Sequence, residues 1–427
     1  MLKKILKKLQ IIKSFIETKD FYSLEKLKTF QLKKLEILLL SIRDNEFYGK
    51  HLIKQLMFKN IYEHKIINKK IFMENFDDIN TVNITKEEAF KIALECEKDR
   101  NFKRTFNDIT IGLSSGTSGN RGIFMVSEKE CNKWTGHILR RMLPKPYFQR
   151  HKIAFFLRAN SNLYETMNNF LIKFNFFDLE TPIEQHINNL NKFNPTLLIA
   201  PAQVLKLLSL NKNLKINPKK IISIAEVLED EDKIIIENRF KQKVHQVYQC
   251  TEGFLAHTCE CGNLHLNEDL IWFEKEWIDK TKTKFYPIIT DFNRTTQPII
   301  RYRLDDILVI NYDSCPCGSV FTRIDKIEGR SDDILKMKDY NNKEYLLFPD
   351  FIRRAIISSS ENVEEYNVTL DNEYTLEIFL KPLELQKEVE KSILSMCYKH
   401  QIKVPNLLFK EWFQKPLIEK RRRIIQK

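Results

Sequence analysis

The chain has 427 residues, 43% apolar and 30% charged, with a net charge of +13. This is the composition of a globular protein with a large core, long enough for two or three domains, and no apolar run approaches the roughly 18 residues that a bilayer span requires. The positive balance does not point to nucleic acid, because the lysines are scattered among Glu and Asp and the longest like-charge block is only 420–423.

Residues 1–100 read as a mainly helical lead-in. The first residues resemble the start of a signal peptide, but lysines keep interrupting them, so cytoplasmic residence is expected. Leu2, Ile5, Leu9, Ile12 and Ile16 recur at helical spacing between those lysines. Such a stripe is expected to pack on its own domain, with a membrane surface as the alternative. Thr85-Lys-Glu-Glu88 is a capping box that opens a helix running to about residue 98. Residues 109–113 read as a strand. Beyond residue 150, buried strands at 153–157, 196–200 and 221–224 alternate with helices at 202–210 and 230–240, and strand character then dominates 245–312. After residue 332 come amphipathic helices at 348–358 and 385–398 and alternating strands at 366–370 and 375–380. The predicted fold is α/β: a large N-terminal domain of mixed sheets and helices over 1–331, and a small α+β domain over 332–427.

Glycine is scarce, ten in all, yet four fall in Gly112-Leu-Ser-Ser-Gly-Thr-Ser-Gly-Asn-Arg-Gly122. Small residues let backbone N–H groups converge on one point, and the hydroxyls of Ser114, Ser115, Thr117 and Ser118 add donors. That is the chemistry of a phosphate-binding loop, although a plain turn has a similar composition. The loop is neither a Walker A motif nor Gly-x-Gly-x-x-Gly. Downstream come Tyr248-Gln-Cys-Thr251-Glu252-Gly, then Gln297-Pro-Ile-Ile-Arg-Tyr302-Arg-Leu-Asp-Asp306, then Gly329-Arg330-Ser-Asp332-Asp333.

In this order and spacing the four motifs resemble those of the adenylate-forming superfamily, in particular the phenylacetate-CoA ligase branch and the synthetases that adenylylate a coenzyme. The resemblance covers about residues 105–335. It implies ATP-dependent conversion of a carboxylic acid to an acyl-adenylate with release of pyrophosphate, then transfer to CoA or another thiol, with the small C-terminal domain mobile. It assigns Ser114, Ser115, Gly116, Thr117, Ser118 and Gly119 to the β- and γ-phosphates, and Tyr248, Ala225 and Glu226 to the adenine pocket. Thr251 is assigned to the α-phosphate, Glu252 to Mg²⁺, Asp306 to the ribose and Arg330 to the nucleotide. Asp332 would be the hinge and Lys420 the catalytic lysine. Two departures stand out. Asn120-Arg121 replaces the usual Pro-Lys of the loop, with Arg121 keeping the charge. Glu419 replaces the usual glycine beside Lys420, and Arg421–Arg423 is expected to be a solvated basic tail. The alternatives are an adenylyltransferase that leaves AMP on a hydroxyl, and a non-catalytic nucleotide- and zinc-binding partner. Phe124, Arg158 and Phe254 are candidates for the acid pocket.

Of the eight cysteines, Cys259-Glu-Cys261-Gly and Cys315-Pro-Cys317-Gly form two matched pairs. Four thiolates would suit one tetrahedral structural Zn²⁺, with His257 or His265 able to replace one of them. Members of the same branch carry similar cysteines that look like a zinc site. His265-Leu-Asn-Glu268-Asp269 is expected to be a strand beside the cysteine turn rather than a catalytic group.

Overall fold

The computed structural model describes residues 2–48, 61–99, 105–114, 121–157, 171–330, 334–417, 419 and 421–427. The chain forms two compact units, residues 1–304 with 309–326, and residues 305–308 with 327–427.

The first unit begins with α1 (Leu2–Glu17), α2 (Leu24–Ser41), α3 (Lys69–Glu74), α4 (Phe76–Ile79) and α5 (Lys86–Lys98). Their starts follow from local chemistry. The Ser23 hydroxyl caps α2 and the Asn68 side chain caps α3, while Thr85 and Glu88 close the predicted capping box on α5. Strands β1 (Ile109–Leu113) and β2 (Ile123–Ser127) form an antiparallel hairpin that carries the glycine-rich segment at its tip. Ser127 and Glu130 then form a second capping box that starts α6 (Glu128–Met142).

The next stretch winds as βαβ units: β3 (His151–Leu157), β4 (Ile172–Asp178), α7 (Ile183–Phe193), β5 (Leu197–Pro201), α8 (Ala202–Leu210), β6 (Lys220–Ile224), α9 (Asp230–Phe240) and β7 (Val244–Cys250). All five strands run parallel, in the order β4-β3-β5-β6-β7. Every residue of β5 is buried, as an apolar run covered on both faces should be. The chain then turns back on itself through β8 (Gly253–Thr258), β9 (Leu264–Leu266), β10 (Ile271–Trp277), β11 (Lys284–Asp291), β12 (Tyr302–Arg303), β13 (Asp306–Asn311) and β14 (Arg323–Arg330). These strands continue the same sheet in the order β10-β11-β13-β14-β9-β8-β7. Pairing changes from parallel to antiparallel at β7–β8.

Helix α1 lies along α6, and the contact is inverted relative to the expectation from its sequence. The face turned to α6 is largely polar. Ser14 and Thr18 are buried, Thr18 Oγ1 meets His137 Nδ1 at 2.7 Å, and Asn132 Nδ2 donates to Gln10 Oε1 at 2.9 Å. Burial drives the His137 imidazole down to about 3, so it stays neutral in this contact. Gly136 sets the distance of approach, since a Cβ there would lie 2.4 Å from the Ile11 carbonyl oxygen. The apolar stripe Ile5, Leu9, Ile12 and Ile16 therefore faces away from the domain on which it was expected to pack.

The second unit contains β15 (Leu335–Lys338), β16 (Glu344–Leu347), α10 (Pro349–Ile357), β17 (Glu365–Leu370), β18 (Thr375–Lys381), α11 (Gln386–Lys399), β19 (Asn406–Glu411) and β20 (Ile424–Gln426). Its sheet runs β19-β18-β17-β20, with alternate residues Tyr366, Val368 and Leu370 buried against Ile352, Ile356 and Ile393. The basic run is not the solvated tail expected from its sequence. Arg421 and Arg423 both reach the Glu365 carboxylate, at 2.5 and 3.3 Å, and the chain continues as β20 alongside β17. Like charges are tolerated here because a single carboxylate and the Tyr366 ring, 4.8 Å from the Arg423 guanidinium, receive them.

Replacing Gly136 with Ala is expected to cost about 1–3 kcal/mol, because the new Cβ meets backbone that cannot rotate away. Urea unfolding measures this, and protease cleavage near residue 18 should accelerate as α1 lifts.

Candidate functional site

In an open α/β sheet, ligands bind beyond the carboxyl ends of parallel strands. Two of the sequence-predicted segments leave that edge from neighbouring strands. Ala225-Glu226 follows β6, and Thr251-Glu252 follows β7. Ala225 adopts a left-handed φ of 64° without being glycine, a conformation that the surroundings must hold. Glu226 is held in turn, with its carboxylate accepting from the backbone N–H of Gln203 at 3.3 Å and from its Nε2 at 2.8 Å. Tyr248 is buried within β7, next to a bulge at Tyr248/Gln249, and Trp134 Nε1 donates to Gln249 Oε1 at 3.1 Å.

Thr251 and Glu252 form the tight turn from β7 into β8, and the Thr251 hydroxyl donates to the Glu252 carboxylate at 2.8 Å. Arg294 fixes this turn against the glycine hairpin. One guanidinium nitrogen donates to the Thr251 carbonyl at 3.0 Å, and another donates to the Met125 carbonyl on β2 and to Gln297 Oε1, both at 3.2 Å. Gln297 completes the clamp by accepting from Met125 N at 3.0 Å and donating to the Ile123 carbonyl at 3.1 Å. The buried Glu130 supplies the counter-charge and accepts from the backbone N–H groups of Thr295 and Thr296. Burial works to raise the Glu130 carboxyl, but the Arg294 charge and these donors overcome it and hold it below the usual carboxylate range. Behind the turn, burial pushes Asp291 up to about 6, and its carboxylate lies 3.1 Å from where a Cβ on Gly253 would stand.

The hairpin closes just below the glycine-rich tip. Ser114 N donates to the Gly122 carbonyl at 2.7 Å, and Gly122 N donates to Ser114 Oγ at 2.8 Å. Gly112 is required on β1 because the Phe124 ring lies where its Cβ would be, at 2.6 Å. Ser115, Gly116, Thr117, Ser118 and Gly119 lie outside the described residues, as do Arg158, Asp332 and Lys420. Arg121, which stands where the resembled motif has a lysine, is turned back on the protein. It pairs with Glu97 through two guanidinium nitrogens and donates to the Ser114 carbonyl at 3.2 Å. Between the hairpin and the Thr-Glu turn lies a small open cleft, with Gly122, Phe124, Thr251, Glu252, Lys69 and Tyr302 on its wall. Phe254 is not on that wall; it is buried on β8, and its carbonyl accepts from Asn267. Asp306 begins β13 and Arg330 ends β14, and both belong to the second unit.

The cysteine motifs fold as two like turns. Gly262 N donates to the Cys259 carbonyl at 3.0 Å and Gly318 N to the Cys315 carbonyl at 2.9 Å, with both glycines at left-handed φ, 88° and 76°. Among the described residues, the donor atoms of Cys259, His265, Cys315 and Cys317 lie within 4.8 Å of one another. Cys261, the fourth thiol of the sequence pattern, is outside this set, and its carbonyl accepts from Lys243 Nζ. His265 comes from β9, the predicted strand beside the cysteine turn. Its Nδ1 is 3.1 Å from the Phe321 carbonyl and its Nε2 is 3.7 Å from Cys317 Sγ. A backbone acceptor on Nδ1 leaves Nε2 free to ligate. His257 is engaged elsewhere, with Nδ1 2.6 Å from Asn267 Oδ1. The donors are spaced for a single ion: sulfurs about 2.3 Å from a tetrahedral zinc stand about 3.8 Å apart, and Cys259 Sγ is 3.7 Å from Cys315 Sγ. Burial and the neighbouring sulfurs push the Cys317 thiol up to about 12, a crowding that a cation would relieve.

No family model matches the chain. The phenylacetate-coenzyme A ligase of Thermus thermophilus is 27% identical over 90 residues, 21% of this chain and 19% of that protein. Protein CapK of Staphylococcus aureus is 29% identical over 170 residues, 37% of this chain and 36% of that one. The matched segments thus span about a fifth and just over a third of these curated relatives. A 2-hydroxyisobutyryl-CoA ligase solved in its postadenylation state with 2-HIB-AMP superposes with a TM-score of 0.68 over 96% of this chain and 91% of its own, at 14% identity. The chain has the fold of that ligase. ATP-bound MatB from Rhodopseudomonas palustris shares this fold over 74% of the chain and 67% of its own, with a TM-score of 0.53 and 13% identity.

Arg294 and Glu130 do not appear among the sequence-predicted site residues, although Gln297 opens one of the motif segments. Arg294→Ala is expected to cost about 3–5 kcal/mol, since it leaves the Glu130 carboxylate buried without its counter-charge. Arg294→Lys should recover part of that loss in the same urea titration.

Proposed function

We propose that the protein activates a carboxylic acid by adenylation with ATP, releasing pyrophosphate, and passes the acyl group to CoA or another thiol. The observation that carries this reading is the Arg294–Gln297 clamp, which holds the glycine hairpin and the Thr251-Glu252 turn on opposite sides of one cleft. In this reading the backbone N–H groups of the hairpin tip, Ser114–Gly119, take the departing phosphates. The Thr251 hydroxyl, now resting on Glu252, turns its proton to an α-phosphate oxygen. Glu252 holds Mg²⁺, which when bound neutralises charge on the phosphates. Ala225-Glu226 and Tyr248 border the adenine, and Asp306 is assigned to the ribose hydroxyls and Arg330 and Lys420 to the nucleotide. Rate then comes from positioning and from fixed charge aimed at the phosphoryl oxygens, with no side-chain nucleophile. Arg121 takes no part, because Glu97 neutralises it.

The reading extends to a structural zinc held by Cys259, His265, Cys315 and Cys317. Four protein ligands leave no open position, so the ion would act by tying the β8–β9 turn to the β13–β14 connection. Lys420 remains the candidate catalytic lysine, and the compartment is proposed to be the cytoplasm.

A screen of pyrophosphate exchange over aryl, aliphatic and hydroxy acids, with and without CoA, tests the activity. Exchange is expected with one acid class, and Glu252→Ala should lower it by at least about a hundredfold. AMP left on a hydroxyl compound with no exchange on any acid would overturn the ligase reading. For the metal, about one zinc per chain is expected by mass spectrometry of the purified protein. Cys315→Ser and His265→Ala should lose it, whereas Cys261→Ser should keep it; retention by His265→Ala with loss by Cys261→Ser would restore the four-thiolate set.

A further inference from the structure

A helix that packs on a globular domain normally turns its apolar stripe inward, and α1 does the reverse. Its inner face is fixed by the close approach at Gly136, by Asn132 on Gln10 and by His137 on Thr18, so the helix cannot roll to bury the stripe without breaking these contacts. Outward lie Ile5, Leu9, Ile12 and Ile16, which are 45%, 56%, 54% and 69% exposed. Four large aliphatic side chains exposed in one row form a contiguous apolar strip, unlike surface apolar residues scattered singly.

The charge around the row indicates what covers it. Residues 2–17 contain five lysines and one acid. Lys8 and Lys13 are exposed on either side of the row, as on helices that lie in the headgroup layer of a membrane. At the end of α1 the patch continues into Phe148, 82% exposed and 6.4 Å from the Phe15 ring, beside Arg140 stacked 4.5 Å from Tyr147. A second copy of the chain is a poor occupant, because a symmetric pairing along the row would bring the two sets of lysines together. Nucleic acid would meet the lysines but leave the aliphatic row facing phosphates. At about 1.5 Å per residue, α1 is about 24 Å long, and no described helix is long and apolar enough to cross a bilayer.

We propose that α1 lays its outer face on an anionic membrane surface, with Ile5, Leu9, Ile12 and Ile16 among the acyl chains and the flanking lysines on lipid phosphates. The protein would then work as a peripheral membrane protein that holds its large unit against the bilayer through α6. This inference does not depend on the ligase reading.

Co-sedimentation of the full-length protein with vesicles tests it. Binding is expected to equimolar phosphatidylglycerol and phosphatidylcholine, to weaken with added salt, and to be much weaker to phosphatidylcholine alone. A Leu9→Asp/Ile12→Asp variant and a Lys8→Glu/Lys13→Glu variant should each lose about tenfold or more in vesicle affinity. Their circular dichroism and melting midpoint should stay those of the parent, because all four side chains are exposed. Failure to bind, equal binding to neutral vesicles, or variants that bind as the parent does would overturn the proposal. So would light scattering that shows a dimer dissolved by the Leu9→Asp/Ile12→Asp change, which would assign the row to a second copy.

Discussion

The guanidinium of Arg294 is the interaction on which the candidate site depends. It is buried, donates through its two terminal nitrogens to two backbone carbonyls and Gln297, and is neutralised by Glu130. A charge taken out of water persists only if it is fully paired, so this arrangement tolerates little displacement of its partners. Those partners belong to segments that are distant in sequence: β2 after the glycine-rich tip, the turn after β7, and the start of α6. Fixing them to one rigid group gives the β1–β2 hairpin and the Thr-Glu turn a common frame.

A second buried cation plays a similar part at the other end of α6. Arg141 binds Asp20 between α1 and α2 and, at 3.0 Å, Asp269 after β9, with the Phe321 ring 5.6 Å from its guanidinium. Phe21, Leu27 and Phe321 pack beside it, and Val320 N donates to the Phe21 carbonyl. The cysteine turn at 315–318 is therefore docked against the helical lead-in as well as against β9. A metal there would complete a region already held by ion pairing and apolar contact, in keeping with a structural role. α6 thus carries the Glu130 counter-charge at its start, Gly136 and His137 under α1 in its middle, and Arg141 near its end.

Features that rest on neighbours in sequence are legible in the order of residues alone. The capping box at Thr85 and Glu88 joins residues three apart, and the strands around 153–157, 196–200 and 221–224 announce themselves as apolar runs between helical stretches. The strand at 109–113 is legible as a short apolar run before the glycine-rich segment, whereas its pairing with β2 is not. The fold class is readable for the same reason, and the solved ligase at 14% identity shares it. Arg294 and Glu130 carry no such signal: each is an ordinary charged residue until chain segments some 165 positions apart meet. The exchange of His265 for Cys261 in the compact donor set is of the same kind. It depends on the pairing of β9 with β14, which places His265 opposite Arg323 and close to the second cysteine turn.

The orientation of α1 divides the two kinds of knowledge most plainly. Its sequence alone determined that it would be an amphipathic helix, because a period of 3.6 residues places Ile5, Leu9, Ile12 and Ile16 on one side whatever else the chain does. Which side turned inward was decided by the partner helix. Gly136 admits only a close backbone contact, and Asn132 and His137 ask for polar partners, so the polar side of α1 fits there and the apolar side does not. Periodicity is a property of one segment, whereas direction of burial is a property of two surfaces that meet only in the tertiary structure.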